Sequence, residues 1–99
     1  MQVQPAMPSA FDRQSVLSRV TATLESLVQD WDLDASIVSE TKLVADLGFE
    51  SIDLIQMVAA LEQEFARPHL PFAELLIVDG RYVDDLSVRQ IADFLADRL

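Results

Sequence analysis

The chain has no cysteine, and that absence removes disulfides, thiolate zinc sites and a cysteine nucleophile together. A reducing cytoplasm is the expected compartment. Glycine is nearly absent as well: Gly48 and Gly80 stand alone, so no glycine-rich loop exists to cradle the phosphates of a nucleotide. His69, the single histidine, lies between Pro68 and Leu70 in a loop-like stretch, where it reads as a surface residue and not as the base of a hydrolytic triad. No apolar run approaches the roughly 18 residues that span a bilayer. The opening MQVQPAMPSA has neither the charged nor the apolar segment of an export signal. Basic residues are scarce too: 7 Lys and Arg face 17 Asp and Glu, a formal net charge of −10. Such a surface repels nucleic-acid phosphates and anionic lipid, and it speeds encounter with basic patches on other proteins.

What is present is apolar content, 51% of 99 residues, enough for one core and therefore one domain. Residues 1–10, with Pro5 and Pro8 among polar and small neighbours, read as a flexible tail, and 11–99 as the domain. From Phe11 to Trp31, Leu17, Val20, Leu24, Leu27, Val28 and Trp31 recur at three- and four-residue steps, the period of one helical face. Asp30, Asp32, Asp34 and Ser36 then favour a turn. A long loop follows to about Gly48, in which Ile37, Val38, Leu43, Val44 and Leu47 can tuck inward while Lys42 and Asp46 stay wet. A second helix runs from Ser51 to Phe65 on the stripe Leu54, Met57, Val58, Leu61 and Phe65, and ends ahead of Arg67-Pro68.

Over Ala66–Leu86 the pattern supports a short helix from Pro71, then a turn at Asp79-Gly80, with a tight hairpin as the other reading of LLIVDGRYV. Ser87 and Gln90 form a capping-box pair ahead of Val88, Ile91, Phe94, Leu95 and Leu99, the final helix. Three long helices and a short one predict a small all-α four-helix bundle with a long loop between the first two.

Several candidate sites resolve to ordinary structure. Asp30, Asp32 and Asp34 match the first ligands of a calcium loop, but Ala35 stands where that loop needs glycine and Thr41 where it needs glutamate. Asp84-Asp85 and Glu62 with Glu64 read as solvated carboxylates, not an acid/base pair. Neither catalysis nor metal binding is expected. Ser51 alone carries chemistry. As a plain residue it is an N-cap, for which serine is among the best choices.

The run LVADLGFESIDL resembles the phosphopantetheine attachment motif of acyl carrier proteins: Leu43, the turn Asp46-Leu47-Gly48, the acid Glu50, Ser51, then Ile52 and Asp53. The similarity extends through MVAALEQEF to LSVRQIADFL, covering about Ser15 to Leu99. Three departures stand out: Glu50 replaces the usual aspartate before the serine, Gln56 and Gln63 occupy helix positions that are often acidic, and the Ala66–Leu86 segment is long. They suggest a specialised carrier.

The resemblance implies an acyl-carrier-like bundle that is no enzyme but the substrate of a phosphopantetheinyl transferase. That enzyme would use magnesium and coenzyme A to place a covalent 4′-phosphopantetheine arm on Ser51. The arm would carry acyl intermediates as thioesters in a fatty-acid or polyketide-type pathway. A peptidyl or aminoacyl carrier of nonribosomal synthesis, and an unmodified acidic interaction bundle, are the alternatives. Helical spacing puts Ser51, Ile55, Ala59 and Glu62 on one face; with Glu50, Ile52 and Asp53 they form the expected docking surface for the transferase and for acyl-loading and synthase enzymes bearing basic patches. Peripheral core is the other reading of Ile55. A monomer is expected.

Overall fold

The computed structural model describes residues 12–33 and 36–99. The expected tail at 1–10, Phe11 at the start of the first helix, and Asp34 and Ala35 of the calcium-like stretch lie outside the described residues. Four helices and one small hairpin follow in order: α1 Arg13–Leu27, α2 Ser51–Glu64, α3 Ala73–Leu76, β1 Ile77–Val78, β2 Arg81–Tyr82 and α4 Val88–Arg98. The expected bundle is present, with three long helices and a short one.

Helix α1 packs against both α2 and α4. Its start is set by Asp12, whose carboxylate accepts the Ser15 N–H at 2.7 Å, satisfying a donor the first turn would leave open. Val16, Val20 and Leu24 are fully buried from this helix. The helix is shorter than the apolar spacing predicts, because Val28 is already the C-cap. Trp31 lies beyond it in a turn, its N–H donating to the Val28 carbonyl at 2.9 Å. It packs on Phe49 with ring centroids 5.4 Å apart, so Trp31 keeps helix-like spacing by belonging to the same core and not to the same helix.

Helix α2 buries Met57 and Leu61, with Phe65 just past its end and Leu54 and Val58 packed at the edge of the core. Its end is set before the proline is reached. Ala66 adopts φ 53°, the Arg67 N–H donates to the Glu62 carbonyl at 2.9 Å, and the Ala66 N–H to Gln63 at 3.2 Å. This is a Schellman cap with alanine where glycine is the usual occupant. Helix α4 opens on the capping box expected for Ser87 and Gln90 and buries Val88, Ile91, Ala92, Phe94 and Leu95.

In the segment between α2 and α4 both features read from the sequence occur. The short helix α3 comes first, and the turn at Asp79-Gly80 closes an antiparallel hairpin pairing Ile77 with Tyr82 and Val78 with Arg81. Asp79 and Gly80 have φ 54° and 77°, the backbone that a two-residue hairpin with right-handed strand twist requires. Of the loop residues expected to tuck inward, Ile37, Leu43 and Leu47 do so, whereas Val38 and Val44 are exposed.

Two stability outcomes follow from this packing. Leu61→Ala should cost about 2–5 kcal/mol through the cavity it leaves in the core, and Ala66→Gly should stabilise by about 0.5–1 kcal/mol by relieving the left-handed backbone. Urea denaturation of the three proteins measures both.

Candidate functional site

Ser51 is exposed and occupies the first helical position of α2, one residue past the place a capping serine would take. Glu50 is the N-cap, with an extended backbone at φ −112° and ψ 179°. Its N–H donates to the Asp53 carboxylate at 2.8 Å, and its carbonyl accepts from Asp53 and Leu54 at 3.0 and 3.1 Å. The two acids therefore organise the first turn, and the plain reading of Ser51 as an N-cap is not realised. No hydrogen bond to its hydroxyl is found among the described residues.

The chain reaches Ser51 through a turn held by backbone–backbone hydrogen bonds and by carboxylates that accept backbone N–H groups. Asp46 accepts the Lys42 N–H at 2.7 Å. The N–H groups of Gly48 and Phe49 donate to the carbonyls of Val44 and Leu43 at 3.0 and 2.9 Å. Gly48 has φ 74°, a conformation that glycine alone adopts without penalty. Phe49, buried against Trp31, pins the chain two residues before the serine.

A second segment holds this turn from outside. The Leu43 N–H donates to the Leu86 carbonyl at 2.9 Å and the Val88 N–H to Thr41 at 3.0 Å, a short bridge centred on Lys42 and Ser87. Next to it the Asp85 carboxylate accepts three backbone N–H groups, those of Val44 at 2.8 Å, Ala45 at 3.0 Å and Leu86 at 2.8 Å. Partial burial works to raise the Asp85 carboxyl, but the three donors, with Lys42 nearby, together hold it below the usual aspartate range. Asp85 is thus a structural anchor, and not one of a pair of solvated carboxylates.

The docking residues expected around Ser51 divide by environment. Glu50, Ile52, Ile55 and Ala59 are exposed, Ile55 to 65%, and Asp53 is half-buried. For Ile55 the alternative of peripheral core is not realised. Glu62 differs from the rest, since it is half-buried and its carboxylate accepts the Leu70 N–H at 3.0 Å, bracing the loop after α2.

Beside Ser51 a groove of about 810 Å³ runs between α2 and the α3–hairpin segment. Leu54, Ile55 and Val58 form one wall, and Phe72, Leu76, Ile77 and Tyr82 the other. Glu50, Asp84 and Asp85 are the charged residues of its lining. No histidine, lysine or cysteine is among them, and His69 lies elsewhere in an exposed loop. Sequence reading missed the groove because its second wall comes from the segment whose pattern was most ambiguous. The apolar run LPFAELLI was the available signal.

The family model described as phosphopantetheine attachment site matches residues 19–79. The chain belongs to that family of carrier proteins, whose domain is the site of covalent 4′-phosphopantetheine attachment. A comparison with curated proteins finds no match. The residues present fit the group: an exposed hydroxyl, two first-turn N–H groups at Ser51 and Ile52 with no carbonyl partner among the described residues, and an apolar groove leading away from them. No helix among the described residues is long and apolar enough to cross a membrane.

The Asp85 anchor carries a pH consequence. Because its folded-state pKa lies below the ordinary 3.8, its stabilisation is complete above that value and is lost as pH falls through the folded-state pKa. Asp85→Asn should lower stability by about 1–2 kcal/mol near neutrality, and it should flatten the loss of stability below about pH 4. Denaturant titrations across the acid range measure both effects.

Proposed function

We propose that Ser51 is the attachment residue and that the chain is a monomeric cytoplasmic acyl carrier, comprising 11–99, in a specialised fatty-acid or polyketide-type pathway. The observation that carries this reading is the exposed, uncommitted Ser51 hydroxyl at the opening turn of α2, beside an apolar groove. In the loading step the Ser51 oxygen attacks the phosphorus next to the pantetheine half of coenzyme A. One P–O bond forms, the diphosphate P–O bond breaks, and adenosine 3′,5′-bisphosphate leaves. The hydroxyl proton passes to a base of the transferase or to water.

This chain supplies the acceptor and its position, while the arm supplies the thiol that a chain without cysteine lacks. The free N–H groups and positive end of α2 favour the phosphodiester on Ser51. Glu50 and Asp53 oppose it by like charge, which makes their contribution outward, as carboxylates offered to basic side chains of partner enzymes. Ile52, Ile55 and Ala59 add a small apolar contact, and Glu62 holds the edge of that face. The apolar walls of the groove support an acyl cargo over a polar aminoacyl one.

Incubation with coenzyme A, magnesium and a broad-range phosphopantetheinyl transferase should add one arm to the wild type and none to Ser51→Ala, as read by intact mass. Failure of every competent transferase to add mass would favour the unmodified interaction bundle. Glu50→Lys should slow loading roughly tenfold at low ionic strength and much less in high salt, with helical content unchanged by circular dichroism.

A further inference from the structure

Two of the large apolar side chains exposed among the described residues, Leu33 and Val38, stand apart from the groove. The others, Val44, Ile52, Ile55, Ile77, Val78 and Tyr82, either line it or adjoin residues that do. Three of these six belong to the β1–β2 hairpin, where Val78 is 53% and Tyr82 75% exposed. A ladder of two residues per strand has little stability of its own. This one is tied at its root, where the Val83 N–H donates to the Leu76 carbonyl at 2.9 Å and both side chains pack on the core. Its outer side chains therefore contribute little to folding, and they stand exposed to water beside the turn at Asp79 and Gly80. Apolar area gathered in this way is the mark of a contact surface.

Charge indicates what covers it. Arg13, Arg19, Arg89 and Arg98 pair with carboxylates of other segments. Glu50, Asp53, Asp79 and Asp84, by contrast, form no ion pair among the described residues, and these four acids beside the patch and its flanking residues outnumber the one cation of the hairpin, Arg81. An enzyme that delivers coenzyme A to Ser51 holds a polyanion and so presents cations at that hydroxyl. Ser51 and Tyr82 line the same groove, which places the hairpin beside any protein that covers the serine.

Resting on Ser51 as the attachment residue, we propose that the β1–β2 hairpin, through Val78 and Tyr82, is a docking surface for the phosphopantetheinyl transferase, which meets it with apolar side chains flanked by lysine or arginine. The contact is small and strengthened by charge, so it forms and releases quickly.

The test is steady-state loading by a broad-range phosphopantetheinyl transferase with coenzyme A and magnesium, the carrier being the varied substrate. Val78→Ser and Tyr82→Ser should each raise KM for the carrier roughly five- to tenfold, with kcat and melting temperature unchanged. Val38→Ser, an exposed apolar position away from the groove, should leave both constants as in the wild type. Tyr82→Lys provides a second variant should serine at that position lower the melting temperature, and it should raise KM most at low ionic strength. Hairpin variants that load with wild-type KM, or that lose kcat alone, overturn the docking surface while leaving Ser51 as the attachment residue. A wild type that gains no mass overturns both.

Discussion

The turn from Lys42 to Phe49 presents Ser51 to solvent without the support of a helix or sheet, and the Asp85 carboxylate is the interaction on which that presentation depends. Its two oxygens collect three backbone N–H groups, two of them from about forty residues away and one from the next residue. A neutral amide at this position has one acceptor oxygen and could not satisfy all three donors in the same geometry. Backbone donors held in a fixed turn need partners, and here one ionised side chain supplies them, the three hydrogen bonds together outweighing the desolvation that partial burial imposes. Between this anchor outside and Phe49 buried inside, the chain enters α2 along one path. The serine is thereby exposed and held in place at once, which an acceptor for another enzyme requires.

Charge is distributed with the same asymmetry. The arginines lie mainly where helices meet: Arg13 reaches Asp93 and Asp97 across α1 and α4, Arg19 contacts Glu64 at 3.0 Å while lying over the Phe65 ring, and Arg98 contacts Glu74 at 2.6 Å while lying over Phe94. Each exposed pair adds little stability. Their larger effect is on the field, because they neutralise acids on the α1–α4 side and leave those around Ser51 and the hairpin opposed by fewer cations, Arg81 of the hairpin among them. A net charge of −10 therefore becomes a directed field instead of a uniform one, with its acids concentrated around the N-terminal end of α2.

The helices were legible because their information is local. Apolar spacing located α1, α2 and α4, the Ser87 and Gln90 pair fixed the start of α4, and Asp79-Gly80 fixed the hairpin turn. Ends were harder. The Schellman cap at Ala66 has no glycine to announce it, and the stripe of α1 continues to Trp31 although the helix does not, since core contact preserves the spacing after the backbone has turned. The role of Asp85 was illegible for a different reason: two of its three partners, the N–H groups of Val44 and Ala45, are backbone groups far away in sequence, and no pattern of residue types encodes them. Phe49 went unread as core for the same reason, its partner Trp31 being eighteen positions away. At the site itself, the serine was found by its motif while its surroundings were not. A cap and a first helical residue differ by one position, and only backbone geometry separates them.

The groove follows from how little structure spans the distance between α2 and α4. Four residues of α3 and two short strands cover it, and none of the residues in those elements is fully buried. Phe72, just ahead of α3, is buried and packs on Phe94 with centroids 5.5 Å apart, so one end of the segment is fastened to α4 while the hairpin stands away. A longer third helix laid along α2 would bury Leu54, Val58 and Ile55 and close the space, adding stability at about 25 cal/mol per Å² of apolar area. The chain instead turns back at Asp79-Gly80 and leaves that area open next to the exposed Ser51 hydroxyl. In a domain this small, where net stability is a narrow margin between large opposing contributions, apolar surface left uncovered beside the attachment motif is readily explained if binding, and not folding, is what buries it.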